Sequence, residues 1–285
     1  MSSLHDYPLN ALLEQVKQPM FRIPGPTKLV FALLLSGGSA GFASTIAVDA
    51  YAGGVRSHEI SDEASWALAR MNTTLREKQF SFRTHTIRSY AGPNGELLHI
   101  VHDMKTIFRR PDRLAVDVNG DDGAIKLRYG GQSVVLFAID QKKYSSVPVA
   151  GSIDAALDTI EELSGVDFPV ADLLSDDPAE SVLSGVTAGS QVGVSTIDGV
   201  PCRHFFFSQA PDAEFELWLE DNERSLPRRF VVTYSLLPGR PILIAELSDW
   251  DFSTQVSDSV FEFEPPAGVN KVELTPKRAS GEHSN

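Results

Sequence analysis

Cys202 and His204 stand two residues apart in the run Cys202-Arg203-His204-Phe205-Phe206-Phe207. That spacing puts both side chains on one face of a strand, as a thiol nucleophile and its base require. No third group marks itself as an orienting partner, and the adjacent phenylalanines predict a small buried thiol instead. His85, His99 and His102, with Asp103 beside them, fall on neighbouring predicted strands, but their spacings match no metal site, so solvent-facing strand histidines are expected. Asp117-Val118-Asn119-Gly120-Asp121-Asp122-Gly123 is rich in oxygen ligands, yet Arg128 stands where a calcium loop places its bidentate glutamate. It reads as a turn between strands. Gly37-Gly38-Ser39-Ala40-Gly41 has no lysine after it and is no phosphate loop. No catalytic residue, metal ligand or cofactor is expected, and the chain reads as a non-enzyme.

The apolar supply is more informative than the nucleophiles. The chain has 16 Phe, 6 Tyr and 3 Trp, many at alternating positions that would fill the inside of a curled sheet. Phe82, Leu127, Phe137, Leu157, Ile160, Phe206, Trp218, Tyr234 and Trp250 are the expected lining of such an interior, subject to strand parity, since a slip of one residue reverses every face. Arg109, Arg110 and Arg113 are expected at its mouth, either meeting a headgroup or pairing with the acidic excess.

These residues need elements to place them. Ser61 predicts a helix N-cap, with Asp62 and Glu63 in the first turn and Ala64, Ala67, Leu68, Met71 and Leu75 on one face. From Phe80 the period becomes two: Phe80–Tyr90, Leu97–Phe108 and Leu114–Val118 read as a meander, followed by Ile125–Tyr129, Val134–Ile139 and Tyr144–Val149. A second helix from Ser152 carries Ile153, Ala156, Leu157, Ile160 and Leu163 and stops at Gly165, and Asp177-Pro178 opens a third, running to Leu183. Gln191–Ile197 and Val200–Ser208 flank the hairpin signal Asp198-Gly199, and strand-like runs continue to Val260–Phe263. About ten strands with helices only at the start and middle predict α+β architecture, a curved antiparallel sheet plugged by the middle helices.

Twenty-five Lys+Arg against 38 Asp+Glu give a net charge of −13, which argues against nucleic acid as a partner. One cysteine rules out an internal disulfide. Arg22 and Lys28, the run Leu29–Leu35 and the small residues near Ala50 or Ala52 read as an export signal over residues 1–50, with Met20 as the expected true start. The uncharged run Leu29–Val48 also approaches the roughly 20 residues of a bilayer span, so an uncleaved inner-membrane anchor is the second reading. Either way, residues 51–273 are expected as one exported domain and 274–285 as a loose tail. An acidic exported domain favours transient membrane contact over stable residence.

Several motifs occur in a familiar order: Ile107-Phe108-Arg109-Arg110-Pro111-Asp112-Arg113-Leu114, the hairpin Tyr129 to Phe137, Pro169-Val170-Ala171-Asp172-Leu173-Leu174, Asp198-Gly199-Val200-Pro201-Cys202-Arg203-His204, Phe215-Glu216-Leu217-Trp218-Leu219, Leu226-Pro227-Arg228-Arg229, Ser248-Asp249-Trp250 and Phe261-Glu262-Phe263-Glu264-Pro265-Pro266-Ala267-Gly268. Together they resemble an uncharacterised family of predicted bacterial periplasmic proteins, similar to the lipoprotein carriers LolA and LolB and the envelope-stress regulator RseB. The resemblance implies a half-barrel closed by helices over an apolar cavity in the periplasm of a Gram-negative bacterium. It implies a lipid or acylated protein as ligand, or, on the RseB-like reading, an envelope protein partner. The chain departs from the carriers at Gly130-Gly131, where they tend to have Asp-Gly, and at Phe137-Ala138-Ile139-Asp140, where they tend to have Tyr-Asp-Pro.

Overall fold

The computed structural model describes residues 59–91, 96–164, 168–209, 213–237 and 239–274. The export signal or anchor, the turn at 92–95, the helix stop at Gly165 and nearly all of the C-terminal tail lie outside the described residues. A helix α1 (Asp62–Leu75) leads into six strands: β1 (Gln79–Ala91), β2 (Leu97–Arg109), β3 (Arg113–Gly120), β4 (Gly123–Tyr129), β5 (Ser133–Ala138) and β6 (Lys143–Pro148). A helical crossover follows, made of α2 (Ile153–Ser164), a 3-10 turn (Ala171–Leu174) and α3 (Pro178–Leu183). Five more strands, β7 (Val186–Ile197), β8 (Val200–Gln209), β9 (Ala213–Glu220), β10 (Pro227–Tyr234) and β11 (Ile242–Asp251), precede a 3-10 turn (Asp258–Phe261) and a short β12 (Asn270–Lys271).

The caps behave as their residue types dictate. Ser61 accepts from the Ala64 N–H at 3.3 Å, and Asp177 accepts from the Glu180 N–H at 3.0 Å with Pro178 in the first turn of α3. At Asp198-Gly199 both residues have positive φ, 48° and 79°, the geometry of a tight hairpin turn.

All twelve strands form one sheet in the order β12-β6-β5-β4-β3-β2-β1-β11-β10-β9-β8-β7. Two meanders, β1–β6 and β7–β11, are joined side by side by antiparallel pairing of β1 with β11. The pairing of β12 with β6 is parallel. Twist accumulated over so many strands must curl the sheet, but it stays open, with β12 and β7 as its edges. Residues 59–61 cover part of the β7 edge, where Ser61 N–H donates to the Gly189 carbonyl at 2.9 Å and Gly189 N–H to Glu59 at 3.2 Å.

The topology forces the crossover onto a face. β6 and β7 stand near opposite ends of the strand order, so the chain between them must traverse the sheet, and it does so across the apolar inner face. Phe80, Phe82, Met104, Phe108, Leu114, Val116, Leu127 and Val134 from the first meander and Phe205, Phe207, Phe215, Leu217 and Val232 from the second pack with α1 and the crossover residues Ile153, Ala156, Leu157, Ile160, Leu173 and Val182 in one core. The helices are a minor part of the architecture, a partial cover over an open sheet.

The outer face has a smaller cover. After β11 the chain crosses to β12, placing Phe263 at 5.3 Å from the Phe137 ring and 5.1 Å from Tyr144, and Phe261 beneath the Arg109 guanidinium. The segment Val260–Phe263, whose alternation predicts a strand, forms none: its first two residues end the 3-10 turn that carries Phe261, and Glu262 and Phe263 follow in irregular backbone.

Candidate functional site

Strand register settles where the nine expected lining residues lie. Phe82 and Leu127 face inward and are fully buried, Leu157 and Ile160 come down from α2, and Tyr234 and Trp250 pack against the same core. Trp250 reaches it through an irregularity in the β1–β11 pairing next to Asp249, whose φ is +52°; its indole stacks on Phe82 at 4.5 Å. Phe137, Phe206 and Trp218 are corrected to the outer face. Phe137 alternates with the inward Leu136, which pairs with Leu127. Phe206 lies between the inward Phe205 and Phe207, and Trp218 between Leu217 and Leu219.

The three arginines do not assemble at one mouth. Arg109 pairs with Asp258 over Phe261, and Arg113 with Asp112 at 2.7 Å. Arg110 lies over the Phe108 ring and donates to the carbonyls of Leu75 (3.0 Å) and Ser175 (2.7 Å) and to Asp176 (2.9 Å). It is a clamp between α1, the β2–β3 turn and the crossover.

The groups flagged for chemistry are dispersed. The Cys202 thiol is fully buried against the Val200 carbonyl, and burial raises its pKa. His204 turns instead to Glu216 (2.7 Å) and stacks on Trp218 at 3.9 Å. His85 pairs with Asp103 and His102 with Asp122, on opposite faces because consecutive strand positions alternate. Asp121 accepts from the Val101 N–H of β2 and Asp117 on β3 pairs with Arg128 on β4, so the acidic loop ties the β3–β4 hairpin together and to β2. Among the described residues no group of three or more His, Cys, Asp or Glu is placed to hold a metal ion.

What the structure does assemble is an apolar groove between the crossover and the inner face of β8–β10. Pro169, Val170, Leu173 and Val182 form the crossover side, and Phe215, Leu217, Phe230 and Val232 the sheet side. With the open solvent at its mouth included, the empty space of the groove is about 480 Å³, whereas the space open to the centre of a water-sized sphere is about 20 Å³, room for about one water. Two polar groups reach it: Asp172, exposed, and Gln209, buried at the end of β8. The crowding of protein around Asp172 pushes its carboxyl up to about 6, and the neighbouring Asp154 carboxylate adds to the rise. Solvent still reaches Asp172, which tempers the size of that rise and not its direction. Asp154 itself is raised by burial, then by Asp176 and Asp158.

None of the nine expected lining residues borders this groove. Its signal was present in the sequence as the inward set of β8–β10, in antiphase with Phe206 and Trp218, and as the Pro169–Leu174 motif. The crossover over it is pinned by polar contacts: Tyr129 OH to the Gly151 carbonyl (3.0 Å), the Arg110 clamp, the Ala179 N–H to Asn72 (3.2 Å), and Gln209 to the Ser184 carbonyl (2.6 Å).

Solved structures similar to this chain include the lipoprotein LppX of Mycobacterium tuberculosis (17% identity, 69% of this chain and 100% of that one, TM-score 0.41). A LolA superfamily protein from Nitrosomonas europaea is also similar (10%, 70% and 97%, TM-score 0.35), as is the MucA/MucB complex of Pseudomonas aeruginosa (15%, 71% and 61%, TM-score 0.39). No curated protein matches the chain. A family model described as predicted periplasmic protein (DUF2092) matches residues 64–275, from the first turn of α1 past β12, and the chain belongs to that family.

Proposed function

We propose that this is a non-catalytic periplasmic binding protein that holds a lipid or the acyl chain of a lipoprotein between its crossover and the inner face of its sheet. The observation that carries this reading is the groove itself: eight apolar side chains, half from the sheet and half from the crossover, meet along a partly open seam. Removing apolar surface from water there supplies roughly 25 cal/mol per Å², which captures a chain without needing many polar contacts. With room for only about one water in its depth, the groove admits a chain when the crossover lifts, and the polar pins at Gly151, Ser175 and Ala179 are the contacts that must give way. Incubating the protein with a fluorescent fatty acyl probe tests this; saturable uptake supports it, and no uptake at any concentration below probe aggregation contradicts it.

A second reading, an envelope protein that engages a protein partner, draws on a different surface. Trp66 of α1 is 53% exposed with the Arg70 guanidinium 4.4 Å and that of Arg203 5.7 Å from its ring, and Val192 and Val194 on the edge strand β7 are also exposed. Exposed tryptophan and arginine are the types enriched at binding hot spots. Loss of a pulled-down envelope partner on Trp66→Ala, with lipid uptake intact, would favour this reading.

A further inference from the structure

The polar groups of the groove are of one kind. Gln209 is 7% exposed, and its Nε2 donates to the Ser184 carbonyl at 2.6 Å. A carbonyl can only accept, so the amide nitrogen is fixed there and Oε1 is the atom left over. Among the described residues Oε1 has no hydrogen-bond partner. A buried amide oxygen left unsatisfied costs free energy that a ligand's donor would recover. The other polar group, Asp172, is an acceptor when ionised, and among the described residues no Lys, Arg or His borders the groove.

We propose that the groove takes an amphiphile whose polar end carries hydrogen-bond donors and no negative charge, such as a glycerol or amino headgroup, with Gln209 Oε1 and Asp172 as the accepting groups. This rests on the chain-binding reading above and adds headgroup selectivity to it. A carboxylate or phosphate end would bring only acceptors to Gln209 and would meet the charge of Asp172, with Asp154 behind it. The mouth therefore discriminates by sign, and the buried amide by donor.

The test compares three ligands with the same chain, 1-monooleoylglycerol, oleylamine and oleate, binding to the protein purified from periplasm at pH 7.5. Monooleoylglycerol and oleylamine are expected to bind at least about tenfold more tightly than oleate, each tenfold being about 1.4 kcal/mol. Gln209→Met should weaken monooleoylglycerol about tenfold and leave oleate nearly unchanged, and Asp172→Asn should strengthen oleate. If Gln209→Met fails to fold, the three-ligand comparison on the unaltered protein decides alone. Equal affinity for all three overturns the headgroup assignment while leaving chain binding in place; binding of none overturns both.

Discussion

The Arg110 guanidinium donates to the Leu75 carbonyl at 3.0 Å, joining the last turn of α1 to the turn after β2. Its other nitrogen bonds reach the crossover at Ser175 and Asp176, so one side chain fixes two helical elements to the sheet. Arg110→Ala should cost about 2–4 kcal/mol, since the groups it leaves behind include half-buried carbonyls. Arg110→Lys should recover little, because a single ammonium lacks the planar fork that spans these acceptors. Hydrogen exchange should show the loss as faster opening of the crossover rather than of β1–β4. Uniform acceleration across all strands would refute the clamp.

Adjacent phenylalanines should behave in opposite ways. Phe205 is fully buried in the core and Phe206 lies on the outer face. Phe205→Ala should cost about 3–5 kcal/mol, and Phe206→Ala about 1 kcal/mol or less. Chemical denaturation of both variants checks this, and the reverse order would mean that β8 is shifted by one residue.

Asp172 should make the protein more stable in mild acid. Its folded carboxyl holds a proton up to about pH 6, whereas an unfolded aspartate releases it near 3.9. Between those values the folded state binds more protons, so this contribution falls as pH rises through the window and is flat above it. Asp154, raised in the same direction and facing Asp176, Asp158 and Arg110, adds to the slope. Asp172→Asn should therefore raise the melting temperature at pH 7.5, by no more than about 3 °C given solvent screening, and change it little at pH 3.5. An equal gain at both values would show that charge is not the cause.

Much of this architecture was legible because half-buried strands alternate. Ser61, Asp177-Pro178 and Asp198-Gly199 marked helix starts and a hairpin by local chemistry alone, and the structure places caps and turn there. Face assignment failed where local pattern is silent. Phe205-Phe206-Phe207 offers three equivalent residues and no alternation, and the register shift between Gln191 and Gly193 on β7 removes the phase of its partner. Phe137 is covered by Phe263 from 126 residues away in the chain, a contact no window could contain. The groove was missed for the same reason, since it needs the crossover laid on β8–β10. The pairing of β1 with β11 is likewise set by closure of two meanders and not by either strand.

Filling the groove should separate binding from stability. Val170 lines it from the crossover side, and Val170→Trp should place an indole in the path of a chain. Overpacking of this kind costs about 1–3 kcal/mol, which leaves the fold in place while acyl-probe uptake drops at least about tenfold. Unchanged uptake by a folded variant would move the site elsewhere.

The most direct test is native mass spectrometry of the protein purified from periplasm, followed by extraction and identification of whatever it carries. The account predicts a stoichiometric lipid or acyl chain released on unfolding and absent from the Val170→Trp variant. A bare protein that also refuses monooleoylglycerol and oleate would contradict it and make the Trp66 surface the leading site.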